Sequence, residues 1–192
     1  SDNGGAQEQY IFEGKPNNGT ILVDVKDKGG PGSEVSVSAT TSLLGNPYPS
    51  ALDVHKFIDD NQGVISGDLQ LWQQWAGSSH NLKDYEGGYA QVNKMGGVRA
   101  YQFVGFNGAT ASQDGTKTPT RYLPVGQGFI VEVVADGTVE FNNNQRVFIK
   151  EGDFVEGNYD NGSTFFKTSN TKSTEQVAAT DSQADEIQKI RL

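Results

Sequence analysis

The chain has no cysteine among its 192 residues. This absence excludes disulfide bonds, zinc sites built from cysteine thiolates and catalysis by a thiol. It does not exclude secretion, because a domain of this length can bury a sufficient core without cross-links. The chain also lacks any apolar run close to the roughly 20 residues that a membrane-spanning helix needs. We therefore expect no membrane insertion.

Positive charge is scarce as well. Lysine and arginine together number 15 against 24 aspartates and glutamates, which gives a formal net charge of −9. A surface with this charge repels phosphate backbones and anionic membrane faces. Nucleic acid is therefore not an expected partner.

Catalytic motifs are also missing. The two histidines, His55 and His80, belong to no metalloprotease motif, and the sequence contains neither a nucleophile elbow nor a phosphate-binding loop. A glycoside hydrolase needs two facing carboxylates, and a sequence with 24 acidic residues does not single out a pair. We predict that the domain is not an enzyme, with a fragment of a polysaccharide-acting enzyme as a distant alternative.

Glycine and aromatic residues are abundant instead, with 24 Gly, 10 Phe, 7 Tyr and 2 Trp. This composition suits short strands joined by turns. Alternating apolar residues such as Ile21, Val23 and Val25 indicate half-buried strands. We predict an all-β fold, an antiparallel β-sandwich that is jelly-roll-like, with one short helix near residues 50–60.

Turn residues divide the chain into short strand candidates. We expect a hairpin between residues 9–12 and 20–25, and a second hairpin between 128–134 and 139–141 across Asp136-Gly137. The remaining strand candidates lie at 35–44, 68–75, 89–93, 98–106, 146–150 and 164–167.

The segment 43–50 carries two prolines, Pro47 and Pro49. Each fixes its own φ near about −65° and keeps the preceding residue out of the helical region, which predicts a rigid corner at the end of a strand. A helix is predicted over 50–60, with Ser50 as its N-cap and an acidic residue three positions further on. The candidate buried stripe of this helix consists of Leu52, Val54, Phe57 and Ile58.

Composition divides the chain into three parts. Residues 1–167 are predicted to form the β-sandwich domain, and residues 168–186 are polar and without an apolar period, which favours a loop or linker. Apolar residues return at 187–192, which we interpret as the start of a further strand of a larger domain. Neighbouring domains or chains are therefore expected partners, by strand addition at 187–192.

Several motifs follow one another in a recognisable order. They are YIFEGKPNNG at 10–19, LGNPYPSALD at 44–53, GQGF at 126–129, GTVEFNN at 137–143 and FFKTS at 165–169. In this order they resemble a β-rich region of large secreted surface proteins of Bacteroidota that leave the cell by the type IX secretion system. The resemblance extends over about residues 10–192. It implies secretion and a place in adhesins, surface proteins or polysaccharide-acting enzymes, and it supplies no catalytic residues.

Aromatic residues cluster between positions 72 and 89. Exposed aromatic faces stack on the apolar faces of sugar rings, and neighbouring amides bind the hydroxyls. We assign Trp72 to the core with the leucines before it, and we predict that Trp75, Tyr85 and Tyr89 form a carbohydrate-binding platform. The alternative is that all of these rings pack in or around the core.

Two oxygen-rich loops are candidates for a calcium site, because Ca²⁺ takes six to eight oxygen ligands. The candidate ligands are Asp59 and Asp60 in the first loop and Asp153 and Asp160 in the second. Neither loop has the spacing of an EF-hand, and the end of a helix explains the first loop equally well. We therefore predict no cofactor, with calcium as the alternative.

Together these observations favour a non-catalytic structural or adhesive module of a secreted or cell-surface bacterial protein. A carbohydrate-binding module is the alternative, with glycans as partners. The expected location is extracellular or at the cell surface.

Overall fold

A computed structural model describes residues 11–28, 39–76, 86–101, 115, 117–150, 159–160 and 162–166. Within these ranges the chain forms ten strands, one α-helix and one 3₁₀ turn. The strands are β1 Ile21–Val25, β2 Thr40–Gly45, β3 Ala51–Asp53, β4 Ile65–Ala76, β5 Glu86–Asn93, β6 Gly96–Val98, β7 Tyr122–Leu123, β8 Gly128–Val133, β9 Gly137–Phe141 and β10 Arg146–Val147. The helix α1 covers Val54–Asp60, and the 3₁₀ turn covers Asn143–Gln145.

All pairings between these strands are antiparallel, which confirms the predicted all-β sandwich class. The largest sheet has five strands in the order β2-β8-β4-β5-β6. A second sheet pairs β1 with β9, and a third has the order β10-β3-β7. No helix among the described residues is long and apolar enough to cross a membrane.

One face of the five-stranded sheet is buried. Alternate residues along its strands point to that face, as the period of two requires. They are Leu44, Leu69, Leu71, Ala90, Val92, Phe129 and Val131. The strands of this sheet therefore have one face in the core and one face directed outward.

The helix α1 joins this sheet to the two-stranded one. Its fully buried Phe57 meets Phe129 of β8 edge-on, with ring centroids 5.5 Å apart. The same ring stacks on Phe141 of β9 at 5.0 Å. One helical side chain therefore fills the space between the two sheets.

The helix begins later than the sequence predicted. Its N-cap is Asp53 and not Ser50, and the Asp53 carboxylate accepts the backbone N–H of His55 at 3.0 Å. Residues 51–53 are extended because β3 pairs on both sides, with Leu52 opposite both Arg146 and Leu123. Serine and aspartate are both good N-caps, so the choice between them depended on strand pairing.

Both predicted hairpins are wrong. The strand β1 pairs with β9, and Ile11 and Phe12, the described residues of its predicted partner, lie outside any strand. The consecutive strands β8 and β9 lie in different sheets. Asp136 at the bend accepts the backbone N–H of Asp27 at 2.8 Å, so the expected turn residues anchor the end of β1 instead.

Most other strand predictions are confirmed in position, since 20–25, 68–75, 89–93, 128–134 and 139–141 each coincide with a strand. The remaining predicted strands are shorter or shifted. β2 begins at Thr40, β6 ends at Val98 and β10 ends at Val147, while residues 164–166 form no strand. Residues 35–38, 102–106 and 167–192 lie outside the described ranges, and so does the predicted strand at 187–192.

The proline corner is held by a buried side-chain amide. The Nδ2 of Asn46 donates to the carbonyl oxygens of Ser50 at 2.8 Å and Pro124 at 3.0 Å, and its Oδ1 accepts the N–H of Tyr48. The Tyr48 hydroxyl donates to the carbonyl of Gly19 at 2.6 Å. The corner is therefore a structural junction between distant segments.

Truncation of Phe57 to alanine is expected to lower the free energy of unfolding by about 3–5 kcal/mol, because it leaves a cavity between two sheets. Urea denaturation measures this loss. The matched control is Phe148→Ala, whose ring is 89% exposed and whose loss should change stability by at most about 0.5 kcal/mol. Equal effects of the two substitutions would contradict the assignment of Phe57 to the core junction.

Stability is also expected to fall at alkaline pH. Burial raises the pKa of Tyr48 and of Tyr159, whose hydroxyl donates to the Asn93 carbonyl at 2.5 Å. Because the folded-state pKa lies above the unfolded value near 10, the stabilisation is fully present below about pH 10 and is lost as the pH rises through the folded pKa. The double variant Tyr48→Phe, Tyr159→Phe should be less stable at neutral pH by about 1 kcal/mol per hydrogen bond.

Denaturation series between neutral and alkaline pH test this expectation. The wild type should lose more stability across the alkaline range than the double variant does. Parallel losses in the two proteins would show that these tyrosines are not the titrating groups.

Candidate functional site

The outward face of the five-stranded sheet carries a row of side chains that crosses all five strands. The registers place Leu43 of β2 opposite Ile130 of β8, which is opposite Gln70 of β4. The row continues through Gln91 of β5 to Val98 of β6. Apolar side chains thus stand at both ends of the row, with Leu43 77% exposed, and amides stand at its centre.

The next row of outward-facing positions has two aromatic side chains, on β4 and β5, and two glycines, on β2 and β8. Trp72 of β4 lies directly opposite Tyr89 of β5, and Gly45 of β2 lies opposite Gly128 of β8. The two rings meet edge-on, with centroids 4.9 Å apart and planes inclined at 63°. Trp72 is 39% exposed and Tyr89 is 44% exposed.

Gly87 of β5 determines where the indole lies. A Cβ built on Gly87 would lie 2.6 Å from Cζ2 of Trp72 and 2.8 Å from the Gln73 carbonyl oxygen. The Trp72 ring therefore rests against a part of β5 that has no side chain. Any larger residue at position 87 would displace the ring.

A shallow depression of about 350 Å³ lies beside this aromatic pair. Among the described lining residues no side chain is charged, and the polar side-chain groups are two glutamine amides, the Tyr89 hydroxyl and the Trp72 indole N–H. The lining residues are Leu43, Gln70, Trp72, Tyr89, Gln127, Gly128, Phe129, Ile130, Phe165 and Phe166.

One wall of the depression is formed by the segment 165–166, which consists of two phenylalanines. The buried Gln127 holds it, because its Oε1 accepts the N–H of Phe166 at 2.7 Å and its Nε2 donates to the Phe166 carbonyl at 3.3 Å. The same Nε2 donates to the carbonyl of Gly128 at 2.8 Å. A side-chain amide thus joins the segment to β8 as a backbone amide would.

The structure changes the predicted roles of the aromatic residues. Trp72, which the sequence analysis assigned to the core, faces outward, because Leu69, Leu71 and Gln73 alternate with it and take the buried side. Tyr89 lies beside it, so one predicted platform residue belongs to the site. Trp75 lies in β4 but its side chain is outside the described part of the structure, and Tyr85 is outside it altogether.

The two calcium candidates of the first loop, Asp59 and Asp60, are bonded to other side chains of the domain. Asp59 pairs with Lys94 at 2.5 Å, and this hydrogen bond lowers the pKa of the Asp59 carboxyl. Asp60 accepts from the amides of Asn142 and Gln145, each at 2.8 Å. Neither carboxylate is left without a protein donor.

The second loop gives a similar result. Asp160 accepts from Arg121 at 3.2 Å, and Asp153 lies outside the described residues. Across the described ranges, no group of three His, Cys, Asp or Glu side chains is placed to hold a metal ion. Each of the described candidate carboxylates instead joins two parts of the chain.

Arg121 also makes an ion pair that the sequence did not reveal. Its Nε and one terminal nitrogen donate to the two oxygens of the buried Asp53 at 3.0 and 2.9 Å. Hydrogen bonding to Asp53 raises the pKa of Arg121, so the guanidinium stays charged in this pair. Since Asp53 also caps α1, this pair fixes the start of the helix and carries no indication of catalysis.

Two glycines on the outward face allow a matched test of this geometry. The substitution Gly87→Ala should cost about 1–3 kcal/mol, because the new methyl group overlaps the indole and a backbone carbonyl. Gly128→Ala should cost at most about 0.5 kcal/mol, because its Cβ would meet only the Leu44 carbonyl oxygen, at 3.8 Å. Urea denaturation with tryptophan fluorescence measures both; a Gly87→Ala protein with wild-type stability and emission would contradict the described ring position.

Comparison with known proteins gives one family. No curated protein and no solved structure matches the chain. A family model described as "Domain of unknown function (DUF8693)" matches residues 2–184. The match extends over nearly the whole chain of 192 residues, so this protein belongs to that family.

Proposed function

We propose that this domain is a non-catalytic adhesive module of a secreted or cell-surface protein, and that it attaches through the outward face of its five-stranded sheet. The observation that carries the proposal is the Trp72–Tyr89 pair, which stands on a solvent-facing sheet surface beside a depression. Secretion itself is supported by the resemblance of the sequence to exported surface proteins.

The composition of this face is typical of a contact surface. Tryptophan and tyrosine are enriched at the points where binding energy concentrates, because each supplies a large apolar area with few rotatable bonds. Leu43 and Ile130 extend the apolar surface next to them. A partner that covered this face would remove exposed apolar area from water, which favours association.

The chemistry of the depression supports binding without catalysis. General acid–base catalysis needs a side chain that gives or takes a proton near neutral pH. The lining residues that the structure describes include no histidine, carboxylate, lysine or serine. The site can hold a molecule but offers little chemistry to transform one.

A carbohydrate-binding module is the second candidate function. The indole of Trp72 and the amide of Gln70 both line the depression. An aromatic face can stack on the apolar face of a sugar ring while a nearby amide bonds the hydroxyls of the ring. The net charge of −9 argues against anionic polymers such as nucleic acid as the natural ligand.

Bead adhesion under flow tests the adhesive role. Beads coated with the domain are passed over surfaces coated with mucin-type glycoprotein, with bacterial exopolysaccharide or with whole bacterial cells. Retention is expected on at least one of these surfaces, and Trp72→Ala should reduce it by roughly thirtyfold or more, because hot-spot aromatics cost about 2 kcal/mol or more when truncated.

Phe148→Ala serves as the control, because it removes an exposed aromatic ring next to β10, which belongs to a different sheet. It should leave retention unchanged. Absence of retention on every surface, or equal losses for the two variants, would overturn the proposal. Circular dichroism of each variant establishes that the fold is intact.

A further inference from the structure

We infer that the depression on the outward face binds one uncharged sugar ring of a soluble glycan, stacked on Trp72 above the Gly45–Gly128 pair. This inference rests on the second candidate function above, carbohydrate binding. It adds the size, the charge and the physical state of the ligand.

The arrangement of the two aromatic rings limits the ligand to one ring. The ring centroids of Trp72 and Tyr89 lie 4.9 Å apart, and the two ring planes are inclined at 63°. Two rings so inclined cannot both lie flat against one planar polysaccharide surface, as a row of coplanar aromatics can. The pair therefore acts as a single platform with one face and one edge, which suits an individual sugar unit at a chain end or branch.

The glycine pair provides the space for that unit. Gly45 and Gly128 lie opposite each other, and neither has a positive φ, so the backbone does not itself require glycine at these positions. A Cβ on Gly128 would meet only the Leu44 carbonyl oxygen, at 3.8 Å. Gly128 lines the depression, so its missing side chain leaves a floor next to the indole, and the volume of the depression, 350 Å³, lies at the lower end of the ~300–1,000 Å³ range of small-molecule sites.

The polar groups around this floor suit hydroxyl groups without charge. The amide of Gln70 lines the depression, and its side chain has no hydrogen-bond partner among the described residues. An amide offers both a donor and an acceptor, which a sugar hydroxyl can satisfy at once. The ligand thus receives a stacking surface and an amide within one small site.

Two carboxylates lie on the same sheet face near the site, and a cation, Lys117, contacts its lining by donating to the Phe165 carbonyl at 2.5 Å. Glu132 lies two residues from Ile130 on β8, and it is exposed on the outward side. Asp68 lies two residues from Gln70 on β4 and accepts from Asn93 at 2.8 Å. Together with the net charge of −9 on the whole chain, these carboxylates disfavour the binding of sugars that carry a carboxylate or a sulfate.

Titration calorimetry and a pull-down assay test the inference on the whole chain. The soluble probes are neutral oligosaccharides of glucose, galactose, mannose and N-acetylglucosamine, each matched with an acidic counterpart that contains a uronic or sialic acid. The insoluble probes are crystalline cellulose and chitin. Binding is expected to at least one neutral oligosaccharide, with the acidic counterpart weaker and no retention on the crystalline material.

Two variants locate the binding site. Gly128→Val should fill the floor and weaken binding at least tenfold, while its melting temperature stays close to that of the wild type because the backbone there accommodates a β-branched residue. Trp72→Ala should weaken binding by a similar factor. Phe148→Ala should bind as the wild type does.

The outcomes separate this inference from the function on which it rests. If no probe binds, both the inference and the carbohydrate-binding function fail, whereas adhesion to a protein surface is left standing. If a neutral oligosaccharide binds equally well to wild type and to Gly128→Val, carbohydrate binding stands and the assigned site is wrong. Preference for acidic sugars, or for crystalline polysaccharide over soluble probes, would also overturn the inference and leave carbohydrate binding intact.

Discussion

The packing of one side chain, Phe57, determines how the layers of this domain meet. Its ring contacts Phe129 in the five-stranded sheet and Phe141 in the two-stranded sheet. A sheet with one apolar face must cover that face with another layer, and here a helix of two turns does so for both sheets at once. The covered face of the large sheet is therefore fixed, and so is the face that remains outward.

That division explains the aromatic site. Along β4, Leu69 and Leu71 are directed into the core, and strict alternation then places Trp72 outside. The indole is retained there because Gly87 leaves room for it on the neighbouring strand. The exposed aromatic pair thus follows from ordinary strand geometry together with one missing side chain.

Local sequence patterns were sufficient to predict most of the longer strands and the corner, but not their partners. The alternation of Ile21, Val23 and Val25 located β1, since burial on one face leaves a direct mark on the sequence. The pairing of Val23 with Val139 joins residues far apart in the chain, and no local pattern encodes it. The predicted hairpin at Asp136-Gly137 failed for this reason, because a turn signal does not specify which strands it connects.

The outward position of Trp72 could have been predicted from sequence. The alternation of Leu69 and Leu71 already indicated that Trp72 belongs to the opposite side. Its assignment to the core rested on proximity to the leucines and was wrong, because neighbours along a strand lie on opposite faces. Tyr89 was predicted to belong to the site because it is part of an aromatic cluster in the sequence. That it lies opposite Trp72 follows from the register between β4 and β5, which the sequence does not give.

Buried amides and ion pairs account for much of the polarity inside the domain. The side chain of Asn61 pairs with both the N–H and the carbonyl of Glu140, as a strand backbone would, and Gln127 does the same for Phe166. Asp53 is neutralised by Arg121. Satisfied groups of this kind fix geometry, because an unpaired one would cost stability.

The placement of charged side chains bears on the function of the domain. The described carboxylates of the two acidic loops bond to cations and amides within the domain, so they hold the scaffold together. The residues described around the depression beside Trp72 are uncharged, although the chain as a whole is strongly acidic. An uncharged aromatic site on an acidic body selects by stacking and hydrogen bonding close to the surface and repels anions at longer range. This combination favours a neutral, hydroxyl-rich ligand over a nucleic acid or an acidic polymer.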